Sequence, residues 1–262
     1  MNTNKKGLTI TTFNSESYFD ELYNSIPFDK VDHVVVVNGG EPYNKQYDKV
    51  HWIQHDKVQF ASVARNDGLK YLMNQGCDYY FVCEDDMIIK SENIFDDYIK
   101  ASKESGIQYF GFRSNAWGAG AIGERTPRFE VQYRENGSVI QLYKNTCNEF
   151  TFRTKLAINE IGLFDERYPY MFDIDMVYRL ANKSMIPGFW YFPDIANADD
   201  LVMNNPNAVS RMNPNGERNN KLGPDFERFS KDHGLTVNQI PDSSREEIVD
   251  NVKFILNRYA TR

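Results

Sequence analysis

Runs and alternations of apolar residues divide the first 114 positions into strands and helices taken in turn. Gly7 to Phe13 alternates β-branched and apolar residues, the period of a strand. Asn14-Ser15 followed by Glu16 opens a helix that Pro27 closes. Val31 to Val37 is Val-rich, the mark of a strand covered on both faces, and Asn38-Gly39-Gly40 turns the chain after it. Val50 to Gln54 supplies a third strand. Between Ala61 and Met73, small or apolar residues at 61, 64, 68, 69, 72 and 73 keep helical spacing, and Gly76 ends that helix. A buried strand from Tyr79 to Cys83, a helix from Glu92 to Glu104 and a strand from Gln108 to Arg113 follow. Strand and helix alternating in this way predict an α/β, doubly wound, mainly parallel sheet.

The second half is less regular. Residues 114–136, with Gly118, Gly120 and Gly123 among Arg125, Arg128 and Arg134, read as a long loop or ribbon, with strands at Val139 to Tyr143 and Glu149 to Arg153. The stretch Ile161-Gly162-Leu163-Phe164-Asp165-Glu166 is a turn. A helix opens near Met171 with positions 176, 177, 180 and 181 as its apolar face. Residues 204–225 hold seven Asn, three Pro and two Gly, which cannot pack a core and predict a mobile loop. Ser244-x-x-Glu247 is a capping box before a last amphipathic helix. One continuous domain is expected: a first half over 1–114, a second over 115–235 carrying the loop, and a carboxyl-terminal helix over 236–262.

The Tyr79 to Cys83 strand carries the candidate chemistry, because three consecutive carboxylates, Glu84, Asp85 and Asp86, stand at its carboxyl end. Ligands of open α/β sheets sit beyond the carboxyl ends of the strands. Extended backbone sends Glu84 and Asp86 to one side and Asp85 to the other. Two hard oxygen donors on one side suit Mg²⁺ or Mn²⁺ bridged to substrate phosphates; an acidic turn held only by solvent is the plainer reading. Asp173, at the start of the helix near Met171, has the plainer role of an N-cap.

Composition narrows the classes. The chain has 262 residues, 41% of them hydrophobic and 26% charged, which are globular values. Of the net charge of −7, most lies in residues 1–110, where 11 Lys and Arg face 17 Asp and Glu. That acidity argues against a sequence-independent nucleic-acid binder. Three cysteines, Cys77, Cys83 and Cys147, form no C-x-x-C pair and suggest a reducing, cytoplasmic setting. The apolar stretch near the amino terminus is too short for a signal peptide, and no membrane anchor is expected.

The early strand, the Val-rich strand ending in Asn38, Ala64-Arg65-Asn66-Asp67-Gly68-Leu69, Glu84-Asp85-Asp86, and Ile161 to Glu166 before Asp173-Ile174-Asp175 occur in one order. The order resembles the GT-A nucleotide-sugar glycosyltransferases, in particular the large inverting family two, over residues 7 to about 190. The resemblance implies a Rossmann-like three-layer sandwich around a central, mainly parallel mixed sheet. It implies a donor that is a nucleoside-diphosphate sugar, UDP-sugar favoured, and a Mn²⁺ or Mg²⁺ ion held by Asp86 and Glu84, with His233 as a further ligand. Thr11, Phe13, Asn38, Arg65, Glu84 and Asp85 then match nucleotide-sugar-binding positions. Asp173, with Asp175 as second candidate, matches the general base that takes the proton of an acceptor hydroxyl. Here Glu84 stands where the family's metal motif begins with Asp, and Phe172 where a Glu usually precedes the base.

The acceptor stays open between a saccharide and a hydroxymethylated base in DNA, as does the oligomeric state. A loop with Trp117, Arg125, Arg128, Phe129, Tyr133 and Arg134 fits either a sugar ring or a phosphate backbone. Arg211, Arg218 or Lys221 would either close over the diphosphate as a lid or lie in a plain mobile connection, and the sequence favours neither. A sugar-nucleotide pyrophosphorylase is a competing class, but Thr11-Thr12-Phe13-Asn14-Ser15 lacks the Gly-rich phosphate loop that class needs. A non-catalytic sugar- or nucleotide-binding protein is the other.

Overall fold

The computed structural model describes residues 4–112, 127–134, 138–144, 149–207 and 222–260. Its centre is a six-stranded mixed sheet in the order β3-β2-β1-β4-β9-β6. The strands are β1 (Lys6–Thr12), β2 (His33–Asn38), β3 (His51–Gln54), β4 (Tyr79–Glu84), β6 (Tyr109–Phe112) and β9 (Phe150–Thr154). The pairs β3·β2, β2·β1 and β1·β4 are parallel, and β9 runs antiparallel to both β4 and β6. This is the mainly parallel mixed sheet that the alternation and the family resemblance predict.

Both faces of the sheet are covered, which is why its strands are apolar at successive positions. Val34 and Val36 of β2, with Phe81 and Cys83 of β4, join one core with α1 (Glu16–Ser25), α3 (Ile94–Ser105) and the carboxyl-terminal α8 (Arg245–Tyr259). Val35, Val37, Tyr80 and Val82 face the other core. There they meet α2 (Ala61–Asn74), α4 (Lys155–Ile161), α5 (Phe172–Asn182) and α7 (Gly223–His233). The capping box of α8 is present, Ser244 Oγ accepting from Glu247 N at 3.2 Å and Glu247 Oε2 from Ser244 N at 2.7 Å.

Smaller elements complete the chain. The short strands β5 (Met87–Ile89) and β11 (Val202–Asn204) pair antiparallel, the latter just after α6 (Ala198–Leu201). A three-stranded sheet orders β10 (Tyr191–Ile195), β8 (Val139–Lys144) and β7 (Phe129–Gln132). Strand β7 lies inside the span expected to be a loop or ribbon. Helix α7 begins within the last three residues of the expected loop 204–225, because Pro224 in the first turn and Asp225 beside it make a helix start. Trp117, Arg125, Arg211, Arg218, Lys221 and Cys147 lie outside the described residues. Among the described residues no helix is long and apolar enough to cross a membrane.

Helix α2 lies very close to β1, and one glycine permits it. A Cβ added at Gly68 would stand 1.8 Å from Thr9 Oγ1 and 2.8 Å from Thr9 Cβ. Gly68→Ala is therefore expected to lower stability by about 1 to 3 kcal/mol through overpacking, which outweighs the ~1 kcal/mol gain in helix propensity. Urea denaturation checks this; an unchanged or higher midpoint would show that α2 can shift off the sheet.

Candidate functional site

Strand register brings the carboxyl ends of β1, β2 and β4 together. Thr11 is level with Glu84, Thr12 with Asn38, and Asn38 with Gln54. Strand β4 ends at Glu84, and Asp85 and Asp86 stand in the turn that follows it, so the extended alternation expected across the three acids stops at the first. Glu84 turns to α2, where Arg65 Nη2 binds its Oε1. Asp85 turns to the opposite side, its Oδ2 accepting from Thr12 Oγ1 at 2.6 Å and from Phe13 N at 3.3 Å. The hydroxyl of Tyr43 also contacts Thr12 Oγ1 and accepts from Ser15 N at 2.9 Å. Asp85 and Tyr43 thus fix the β1–α1 loop at the strand ends. Asp86 is half-buried, and its carbonyl accepts from Asn205 N at 2.7 Å, which ties the acidic turn to the chain after β11.

The expected nucleoside-binding residues are gathered here, with one spent on the scaffold. Asn38 is fully buried; its amide donates to Glu41 O at 2.8 Å and Gln54 Oε1 at 3.1 Å, and its Oδ1 accepts from Gly40 N at 2.9 Å. Its side chain shapes the turn after β2. Asn14, in the left-handed region with φ 52°, accepts from Glu41 N at 2.9 Å and so joins that turn to the β1–α1 loop. Thr11 and Phe13 remain half-buried at the rim.

Electrostatically the acidic end is a strained place for charge. Burial pushes the Glu84 carboxyl up; Arg65 opposes the rise, and Asp86, Glu149 and Asp85 add to it. Its side chain keeps 38% exposure, so water at the open side tempers the shift. Arg65 is 2% exposed, and its guanidinium carbon lies 5.0 Å from the Phe172 ring centroid. One residue further on is Asp173. A continuous line therefore runs from Glu84 through Arg65 to the first turn of α5.

The two acids of that first turn have different fates. Asp173 is half-buried, with Oδ1 accepting from Ile174 N at 3.0 Å. Asp175 is 2% exposed and accepts from Arg179 Nε at 2.9 Å and His233 Nε2 at 2.9 Å. Arg179 in turn binds the carbonyls of Ile161 and Leu163. Asp175 and His233 are thus bonded to each other, in the wall of a cavity of about 540 Å³ that Glu84, Asp85 and Asp86 do not line. Among the described residues no three His, Cys, Asp or Glu side chains form a set able to hold a metal ion. Mg²⁺ and Mn²⁺ commonly take only one or two carboxylates and complete their shell with substrate phosphates and water. The hard oxygens of Asp86 and Glu84 fit that need.

Sequence reasoning missed Thr12, Tyr43 and Asp225. The last accepts, through Oδ2, from Tyr170 N at 2.8 Å and Met171 N at 2.9 Å. Its signal was the Gly223-Pro224-Asp225 helix start; Tyr43 carried none.

No protein-family model matches the chain, and no curated protein matches it significantly in sequence. Solved structures do. The mannosyltransferase PcManGT of Pyrobaculum calidifontis, in complex with GDP-Man and Mn²⁺, is 11% identical, with 95% of this chain and 68% of that one covered at a TM-score of 0.56. S. aureus TarS 1–349 in complex with UDP-GlcNAc is 17% identical over 68% of this chain and 54% of that one, at a TM-score of 0.47. A second TarS structure is 17% identical over 68% of this chain and 34% of that one, at 0.49. The chain spans about half the length of TarS or less. At these identities the likeness is one of fold: the chain has the Rossmann-like, GT-A type of glycosyltransferase fold.

Proposed function

We propose that the chain is a glycosyltransferase that moves a sugar from a nucleoside-diphosphate sugar to an acceptor hydroxyl with inversion at the anomeric carbon. The observation that carries this reading is the line Glu84–Arg65–Phe172, which joins the acidic end of β4 to the helix whose first turn carries Asp173. A donor diphosphate at the strand ends and an acceptor at the start of α5 would then share one site.

Asp173 is the general base. Its partly open carboxylate takes the proton from the acceptor oxygen as that oxygen attacks the anomeric carbon from the face opposite the leaving diphosphate. Asp175, held by Arg179 and His233, supports the helix and leaves the base role to its neighbour. Arg65 neutralises Glu84 while the donor site is empty. Asp86 and Glu84 would hold Mn²⁺ or Mg²⁺ together with the donor phosphates; such an ion, when bound, offsets the charge that grows on the leaving diphosphate. UDP- and GDP-sugars are the first donors to try, and the fold relative's GDP-Man complex with Mn²⁺ supports the metal. The acceptor class is a saccharide or a hydroxymethylated base in DNA, with Arg128, Phe129, Tyr133 and Arg134 beside β7 as contacts. The buried free thiols of Cys77 and Cys83 fit a cytoplasmic setting.

Titration calorimetry of UDP and GDP, with and without Mn²⁺, tests the donor site. Metal-dependent binding of one diphosphate is expected, weakened about 10- to 100-fold in Asp86→Ala, the range for damage to a metal's surroundings. No binding by either nucleotide, or binding that ignores both Mn²⁺ and Asp86→Ala, would return Glu84 to Asp86 to the role of a solvated turn.

A further inference from the structure

Helix α5 begins without a cap from its own neighbourhood. Its N-cap residue is Met171, which offers no side-chain acceptor, and no side-chain bond caps it there. The two amides at this entry, Tyr170 N and Met171 N, are taken instead by Oδ2 of Asp225, more than fifty residues along the chain in the first turn of α7. Asp225 is 2% exposed, so these are charge-assisted bonds shielded from water. The same helix holds α5 again at its far end, where His233 bonds to Asp175 and the rings of Phe229 and His233 lie 5.3 and 4.6 Å from that of Tyr178. The contacts from the far end of α7 grip the side chains of Asp175 and Tyr178; Asp225 grips the two backbone amides just before the first residue of α5.

That start determines where Asp173 points. Met171 is two residues before Asp173, and one turn of helix spans 3.6 residues, so a shift at these amides moves the carboxylate with little to absorb it. We propose that Asp225 is a positioning residue for Asp173: it holds the backbone at 170–171 so that the base carboxylate meets the acceptor hydroxyl. This inference rests on the reading of Asp173 as base.

The test compares four variants in steady-state release of nucleoside diphosphate from GDP-mannose and UDP-N-acetylglucosamine with Mn²⁺. Water, simple saccharides and hydroxymethylated duplex DNA serve as acceptors, and donor affinity is measured alongside. Asp225→Ala is expected to lower kcat about 100-fold, the cost of misplacing a reacting group by about an ångström, with donor affinity unchanged. Asp225→Asn keeps an oxygen that can accept from both amides and is expected to recover most of that loss. Tyr168→Phe removes another tie to α7, the 3.1 Å bond from Tyr168 Oη to Asp232, without touching the entry to α5; it is expected to lower the unfolding midpoint and leave kcat nearly unchanged. Wild-type kcat in Asp225→Ala, no recovery in Asp225→Asn, or an equal kcat loss in Tyr168→Phe would each overturn the positioning role. The fourth variant, Asp173→Asn, separates the two levels: if it turns over like the wild type, or the wild type turns over no donor, the function reading fails and this inference with it.

Discussion

Asp173→Asn is expected to lower kcat for sugar transfer by about 10²- to 10⁴-fold, the usual worth of a positioned general base, while donor affinity stays at the wild-type value. The amide cannot take the acceptor proton, yet it keeps the size and the single backbone bond of the carboxylate, Oδ1 to Ile174 N at 3.0 Å. The fold should be undisturbed, because among the described residues no other hydrogen bond or ion pair ties this side chain to the core. Asp175→Asn is the informative contrast. That residue is 2% exposed and shared between Arg179 and His233, so its loss of charge leaves a half-buried guanidinium with only the carbonyls of Ile161 and Leu163 as strong acceptors. Its effect should be read in the unfolding midpoint first and in kcat only as the helix loosens. Steady-state kinetics on both variants, with calorimetric donor affinity, separates these outcomes. An Asp173→Asn enzyme with wild-type kcat would leave Asp173 as an ordinary acid at a helix start.

The central sheet was legible because burial on both faces writes itself as unbroken apolar runs. Val34 to Val37 and Tyr80 to Cys83 are buried at every position, as strands covered on both faces are. Strand β10 was hidden by Pro193 and Asp194; proline is accepted there because β10 is an edge of the three-stranded sheet, and Asp194 Oδ1 accepts from Tyr98 Oη at 2.9 Å. Gly223-Pro224-Asp225 marks where helix α7 starts, but what the helix packs against was hidden for another reason. Its hold on α5 runs through Asp225 and His233, polar contacts across more than fifty residues that no local pattern reveals.

Within the site, the strand-end acids were legible and their division of labour only partly so. Glu84 and Asp85 do meet different partners, but Asp85 lies in the turn after β4, and that Arg65 meets the one and Thr12 the other depends on how α2 and β1 lie against β4. The choice between Asp173 and Asp175 was closer to the surface of the sequence. Arg179 stands four residues after Asp175, the spacing of a helical ion pair. Asp175 also adjoins Met176 and Val177 on the buried face, whereas Asp173 lies two residues away, on the opposite side of the helix.

Arg153→Met is expected to raise stability by about 1 to 4 kcal/mol, the range for replacing buried charge with an apolar side chain of similar volume. Arg153 sits one residue before the end of β9, level with Tyr80 and Tyr109, and is fully buried. Its Nε, Nη1 and Nη2 meet no hydrogen-bond partner among the described residues. What faces the guanidinium carbon is the ring of Phe164 at 4.0 Å and that of Tyr109 at 5.8 Å. A desolvated cation over a ring gains about 2 kcal/mol, against a burial cost of several kcal/mol for the ion. Burial pushes the guanidinium down to about 9; Tyr109 opposes this, and the like charges of Arg65 and Arg179 add to it. The sign follows from the proton count. Across the neutral range both folded and unfolded chains carry the proton, so the advantage of Arg153→Met should be constant there. Above about 9 the folded wild type releases its proton while the unfolded chain still binds one, so wild-type stability rises with pH and the advantage of the variant shrinks. Urea denaturation of both proteins at neutral and alkaline pH reads this difference directly. A variant less stable than the wild type at neutral pH would show that the guanidinium is held by more than two rings.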